Sequence, residues 1–405
     1  MKRYLLLCSV FLSGVWGVKA QTVYFSQDFN SSTDYTTYIG SGTNQFDGLM
    51  FNGTNSINTL NNKLQIIKNG GTGTNRASVT KTDHPFNPGG TGGFLKVSME
   101  ITVSNNTTNI SNGFRFSIGA NMSGTAPAAP ADGNVHSDLY VNPTATPGAF
   151  ILAGGAGAGG AVKSSAFSGT QKIVWYINNT GVPVGYNAPD GTQASVLNDY
   201  ADIWAIDESG KAVLAIDDAP ATTPTLAGLQ QLKISNNPNF VATLDIDDIV
   251  ISEEPTIELK TITSVADVSP VTAPVKTIFS LLPLPAQIGV TYEDGTTGVA
   301  TVRWSAVTTY NPYKLGEYTV LGAIVPGSGA INLNNLSVIT TVTLRDNINI
   351  VNTFSPNGDG KNDTWIIPDL QRYVHPTVEV YARDGKRLFY STDPNVGWDG
   401  RNQSG

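Results

Sequence analysis

The chain has 405 residues, of which 40% are hydrophobic, 14% are charged and 42 are glycine, and its formal net charge is −8. This length allows two to four domains, and the acidic balance excludes a nucleic-acid binder, which needs a basic stripe. Low charge with many small polar residues suits turn-rich exported β structure with few helices, so an all-β protein is expected.

Residues 1–20 have the form of an export signal. Lys2 and Arg3 supply the positive start, and Tyr4 to Trp16 is an apolar run too short to span a bilayer. Val18-Lys-Ala20 then offers a small-residue cleavage site before Gln21. No later segment approaches the length of a transmembrane helix. The only cysteine, Cys8, lies within the signal, so the mature chain has no disulfide, thiol nucleophile or Cys-based metal site.

Residues 21–254 read as one large β domain. Strands are predicted at Val23–Phe29, Lys63–Lys68, Phe94–Val103, Gly113–Gly119 and Ala149–Ala153, then at Lys172–Asn178, Ala201–Asp207, Lys211–Asp217, Gln231–Ser235 and Val241–Ser252. Gly, Asn and Pro clusters separate them, the pattern of a sandwich or barrel. Ala153–Ala161 is a Gly/Ala tract read as a loop. Gly155, Gly157 and Gly160 match the spacing of a dinucleotide fingerprint, but Ser/Gly-rich Lys163–Gly169 follows where that motif requires a helix.

Within this domain the candidates for chemistry are few. Glycoside hydrolysis needs two carboxylates, yet Glu100 and Glu208 are the only glutamates before residue 250, and no Glu-x-Asp-x-x-Glu strand is present. His84, His136 and His375 form no pair with metal-ligand spacing. Alternation puts Ile173, Trp175 and Ile177 on a core face and Tyr176 opposite, with Tyr200 and Trp204 together opposite Ile203. Tyr176, Tyr200 and Trp204 are therefore candidates for an aromatic sugar platform, with core packing as the alternative for Trp204. Asp248 breaks the alternation of Leu244–Val250, which suggests a bulge or a buried carboxylate. Asp28 and Asp248 are candidate calcium ligands if the first and last strands meet; Asp248 capping backbone N–H groups is the alternative.

The layout from Phe25-Ser-Gln-Asp-Phe-Asn30 to Leu244-Asp-Ile-Asp-Asp-Ile-Val-Ile-Ser252 resembles concanavalin-A-like jelly rolls of the laminin-G type. That resemblance implies that the first and last strands lie side by side. Glu253-Glu254-Pro255 marks a boundary, because proline disfavours continuing a central strand. Residues 255–345 follow. Leu284–Gly295, Val302-Arg-Trp304 and Gly316-Glu-Tyr-Thr-Val-Leu-Gly322 are similar to a bacterial Ig-like domain, with Trp304 as the core tryptophan and Tyr318 beside it.

Residues 346–405 contain Phe354-Ser-Pro-Asn-Gly-Asp-Gly-Lys-Asn-Asp-Thr-Trp365, Val378–Phe389 and Gly397-Trp-Asp-Gly400. Asn357, Asp359 and Asp363 alternate as in calcium loops, but the closing Glu is absent; an Asx-rich turn that binds nothing is the alternative. Short strands are predicted at Trp365–Ile367, Val378–Ala382 and Lys386–Tyr390, the last two forming a hairpin. These motifs resemble the gliding-motility-associated C-terminal sorting domain of Bacteroidetes type IX secretion. Asp384 departs from the aromatic residue frequent in that family, and the sorting domain is expected to be incomplete, the sequence being a fragment. The resemblance implies type IX machinery as a partner and an exported surface or secreted protein. The expected function is binding or adhesion, with glycan as ligand and calcium as the one candidate cofactor. The alternatives are a hydrolase or lyase in the jelly-roll groove and a structural surface protein.

Overall fold

The computed structural model describes residues 21–70, 76–87, 93–226, 228–237, 239–346, 350–368, 370–372 and 375–402; the expected export signal lies outside them. The chain divides into two compact units, one ending at Lys260 and one beginning at Thr261. Among the described residues no helix is long and apolar enough to cross a membrane.

Among the described residues the first unit has seventeen strands. They are β1 (Val23–Gln27), β2 (Gly48–Phe51), β3 (Ser56–Leu60), β4 (Lys63–Asn69), β5 (Ala77–Lys81), β6 (Phe94–Ser104), β7 (Phe114–Gly119), β8 (Val135–Pro143) and β9 (Ala149–Gly154). There follow β10 (Val162–Ser168), β11 (Gln171–Asn178), β12 (Val184–Asn187), β13 (Gln193–Val196), β14 (Tyr200–Ile206), β15 (Ala212–Pro220), β16 (Gln231–Asn236) and β17 (Val241–Glu253). One sheet runs β15-β14-β11-β6-β17-β4-β3, and β1 also pairs with β17. The other runs β10-β9-β8-β7-β16-β5-β2. The two sheets make a jelly-roll sandwich.

Alternation explains why these strands face as they do. In the first sheet Val97, Met99, Ile101, Ile173, Trp175, Ile177, Leu244 and Ile246 point inward; Phe114, Phe116, Ile118, Leu232 and Ile234 meet them from the second, and all are buried in one core. The first and last strands do lie side by side, with Gln27 opposite Ile249 and Val23 opposite Ser252. β17 serves two partners on one flank, β4 along Val241–Ile246 and β1 along Ile249–Ser252. Asp248 sits between these stretches at φ 48, where the pairing with β6 also slips. The residue that broke the sequence pattern is therefore a bulge. Its carboxylate is exposed rather than buried, and Asp247 supplies the local acceptor, taking the Asp248 N–H at 2.9 Å.

In the second unit β18 (Lys260–Val265), β19 (Val271–Pro274), β20 (Gln287–Tyr292), β21 (Thr297–Ala306), β22 (Gly316–Val325), β23 (Ala330–Ile331) and β24 (Ser337–Arg345) form one hydrogen-bonded sheet path. Its two apolar clusters both touch Trp304, which is half-buried and donates its indole N–H to the Pro285 carbonyl at 2.7 Å. Tyr318 is buried in the second cluster. Beyond it, β25 (Val378–Tyr381) and β26 (Arg387–Ser391) make the expected hairpin. The strand expected at Trp365–Ile367 reduces to a single bridge between Trp365 and Trp398, because Ile366 finds no partner strand and stands exposed.

Candidate functional site

The outer face of the first sheet carries the site. Register on β6, β11, β14 and β17 points Lys96, Ser98, Glu100, Lys172, Val174, Tyr176, Val250 and Ser252 away from the core. These strands floor a groove of about 430 Å³, whose lining includes Lys96, Ser98, Lys172, Tyr176 and Ser252. Asn187, Ala188 and Pro189 form one wall. A second groove of about 350 Å³ shares Lys172 and Ile206 with the first and adds Lys63, Glu100, Thr170, Asp207 and Glu208.

The wall belongs to the β12–β13 hairpin, a separate two-stranded sheet. Its turn, Pro189-Asp190-Gly191, is built from residues that favour one. Asp190 accepts from the Thr192 N–H at 2.9 Å and its hydroxyl at 2.7 Å, and Gly191 takes φ 85. The hairpin buries Val184, Tyr186, Ala188 and Val196 against Phe94, Val174, Tyr176 and Trp204, a second small core outside the sandwich. Gly185 exchanges backbone hydrogen bonds with Ile257 at 2.9 and 2.7 Å. A β-carbon at Gly185 would come within 3.1 Å of Ile257, so glycine permits that approach.

Tyr186 is the polar pin of this second core. Its hydroxyl donates to Asp202 Oδ2 at 2.6 Å and accepts the Trp204 indole N–H at 2.9 Å. Asp202 is buried and its carboxyl is pushed up to about 7, chiefly by burial, with Asp218 and Asp217 adding to the rise and the Tyr186 and Asp218 hydrogen bonds opposing it. Burial likewise raises the Tyr186 and Tyr176 hydroxyls.

The three aromatic candidates part company here. Tyr176 lines the groove, but its ring lies 4.1 Å from that of Tyr186, tilted by 30°, and is only 1% exposed. Trp204 is 4% exposed beneath the hairpin, and Tyr200 packs half-buried against the same cluster. The Tyr176 and Trp204 faces that could stack on sugar are taken by protein, while Tyr200 stays partly exposed. The wall that covers them went unrecognised in the sequence, although its Pro-Asp-Gly turn between Val184-Gly-Tyr-Asn187 and Gln193-Ala-Ser-Val196 was a readable signal.

Of the calcium candidates, Asp28 and Asp248 both stand exposed just beyond the Gln27–Ile249 pair that ends the β1–β17 ladder. Asp28 is exposed and accepts the Asn30 N–H at 3.2 Å. In the 357–363 turn, Asp363 accepts the N–H groups of Gly358 and Gly360, each at 2.7 Å. Asp359 accepts from Lys361 N–H at 2.8 Å and from the Asn357 amide at 3.0 Å. These bonds hold both carboxyls below the ordinary range, the backbone donors contributing most. The turn is thus closed by its own Asx hydrogen bonds. Among the described residues, the carboxylates whose oxygens converge within 4.8 Å are instead Asp202, Asp217 and Asp218, where β15 bulges against β14.

Two family models match parts of the chain. Residues 348–405 match the CHU_C type IX secretion signal domain, and residues 267–328 match the bacterial Ig-like domain, group 4. The chain thus carries a type IX export signal and an Ig-like domain. A search of curated proteins finds no match. Among solved structures, the carbohydrate esterase vb_24B_21 from Shiga toxin-encoding bacteriophage phi24B aligns at TM-score 0.35 and 10% identity, over 58% of this chain and 100% of its own. Lectin II from Ulex europaeus aligns at TM-score 0.31 and 12% identity, covering 52% and 94%. The cellulose induced protein Cip1 aligns at TM-score 0.30 and 15% identity, covering 56% and 95%.

Proposed function

We propose that this is a type IX-exported, surface-displayed or released glycan-binding protein whose ligand lies along the outer face of the first sheet. The groove carries this reading. It is a shallow trough walled by the β12–β13 hairpin, and its floor mixes hydroxyl, amide and ammonium groups with aliphatic side chains. Such a surface matches a sugar, which presents hydroxyls at its edge and C–H groups on its faces.

Affinity electrophoresis of the full chain through gels containing soluble polysaccharides tests the proposal. Ser98→Trp fills the groove floor and is expected to abolish retardation while leaving the unfolding temperature in place. Retardation by no polymer across a broad panel supports a purely structural surface role instead. For export, deletion from residue 351 onward should leave the protein in the periplasm, and normal surface display of that deletion would sink the routing.

A second reading has one observation in its favour. Asp247 and Glu100 face each other directly across β17 and β6 on the outer face. Opposed residues hold their β-carbons about 4.5–5.5 Å apart, a spacing that brings two carboxyls within the range used by retaining glycosidases. Shortening of a polymer on incubation, lost in Glu100→Gln, would establish hydrolysis. Calcium is tested alongside. A rise in Tm with millimolar calcium that Asp217→Asn removes would place an ion at Asp202, Asp217 and Asp218, and no rise assigns those residues to folding.

A further inference from the structure

The two halves of the groove differ in charge, and the difference narrows the ligand class. Lys96 and Lys172 line the half under the hairpin, and no carboxylate is among the side chains lining it. The carboxylates of Asp207 and Glu208 stand in the other half, and Glu100 lies directly across from Lys172 on β6. Lys96 and Lys172 are on neighbouring strands. Lys96 is opposite Tyr176, and Lys172 lies four residues before Tyr176 on β11. At the rise of a β-strand this separates the two cations by about 13 Å along the trough.

Their surroundings prepare them differently. The Lys96 ammonium is fixed, 3.5 Å from Glu254 and 5.6 Å from the centre of the Tyr176 ring. The Lys172 side chain is exposed, and among the described residues it has no carboxylate within ion-pair distance, even with Glu100 opposite on the next strand. An exposed ammonium without an ion-pair partner, on a walled groove floor, is poised to take an anion from a ligand. The chain's net charge of −8 repels polyanions in general, so attraction of one has to come from this local pair.

We infer that the groove selects glycans bearing carboxylate or sulfate groups, with the ligand's anion at Lys172 and the neighbouring sugar under the hairpin. This rests on the glycan-binding reading above.

The test is affinity electrophoresis of the full chain in gels containing alginate, a carrageenan or neutral dextran, at low and high salt. Retardation is expected in alginate, carrageenan or both, and it should weaken as salt rises. Alginate alone identifies a carboxylate ligand and carrageenan alone a sulfate ligand. Lys172→Gln should weaken retardation roughly tenfold, the loss of about one charge-assisted hydrogen bond, with Lys172→Arg restoring most of it. Lys172 is exposed, so the variant's Tm should match that of the parent. Equal or stronger retardation in dextran, or retention in acidic gels that Lys172→Gln leaves unchanged, overturns the inference while the binding function stands. Absence of retardation in all three gels overturns the inference, and absence across the broad polysaccharide panel overturns the function as well.

Discussion

The two outer faces of the sandwich make an instructive pair. Both carry polar and charged side chains at alternating positions, yet one is open and the other sealed. On the second sheet, Ser78, Thr80, Arg115, Ser117, Asp138, Lys233 and Ser235 are all buried, and residues 120–134 supply many of their partners. Lys233 donates to the carbonyls of Ser123 and Ala126 at 2.8 and 2.7 Å, and burial pulls its ammonium down to about 8. Arg115 grips Asp138 through two hydrogen bonds of 2.8 and 2.7 Å and reaches Asp132 at 3.0 Å. The Ser117 and Thr222 hydroxyls also donate to the Asp138 carboxylate, at 2.7 and 2.8 Å. On the first sheet the hairpin covers one end only, and the remainder is the groove. Charge on a sheet face therefore says little about ligand binding until the segment that covers it is known.

Substitutions on the sealed face should therefore change stability and those on the open face should change binding. The largest effect is expected at Arg115→Ala, which leaves Asp138 as an uncompensated buried charge. Breaking such a pair costs about 3–5 kcal/mol, to be read by denaturant unfolding.

Next is Asp202, under the hairpin. Its folded-state value near 7 lies above the ordinary aspartate value of 3.8, so the folded state holds the proton more tightly. Its contribution is fully present below about pH 4 and is lost as pH rises towards about 7. The loss is on the order of a few kcal/mol. Asp202→Asn should flatten the stability profile across that window, and an unchanged slope would show that the carboxyl titrates normally.

Tyr186→Phe strips a donor from Asp202 and an acceptor from Trp204, for about 1–3 kcal/mol, measurable as a lower Tm. The smallest stability effect, within about 0.5 kcal/mol, is expected for Lys172→Gln, whose consequence should instead appear in polysaccharide retardation. A large fall in stability there would erase the distinction between the faces.

How much of this could be read beforehand follows from the same contrast. Val97-x-Met99-x-Ile101 alternates cleanly because Ser98 and Glu100 on its outer face are polar and partly exposed, and Ile173–Ile177 reads as a strand because it is an unbroken β-branched and aromatic run, so those strands were legible. β5 and β8 were not, since Ser78, Thr80, His136, Asp138 and Asn142 make them look like polar loops. Their partners come from distant segments, and hydrogen bonding across 107 to 110 residues, as at Lys233, leaves no local trace. The groove was half legible. Tyr176 was placed on the correct face by alternation, but the rings proposed as a platform turned out to anchor the hairpin. Lys96 and Lys172 gained meaning only from the register of β6 on β11, which the sequence does not encode locally.

The pairing of β1 with β17 also governs how this unit can form. Gln27 meets Ile249 only after the whole intervening chain is available, so the sandwich cannot close cotranslationally from its N-terminal half. Late closure of so long a loop places the unit among slow, high-contact-order folders. Until β17 arrives, β1, β4 and β6 all lack a neighbouring edge, and a chain passing through secretion spends that interval with unpaired strands exposed to aggregation.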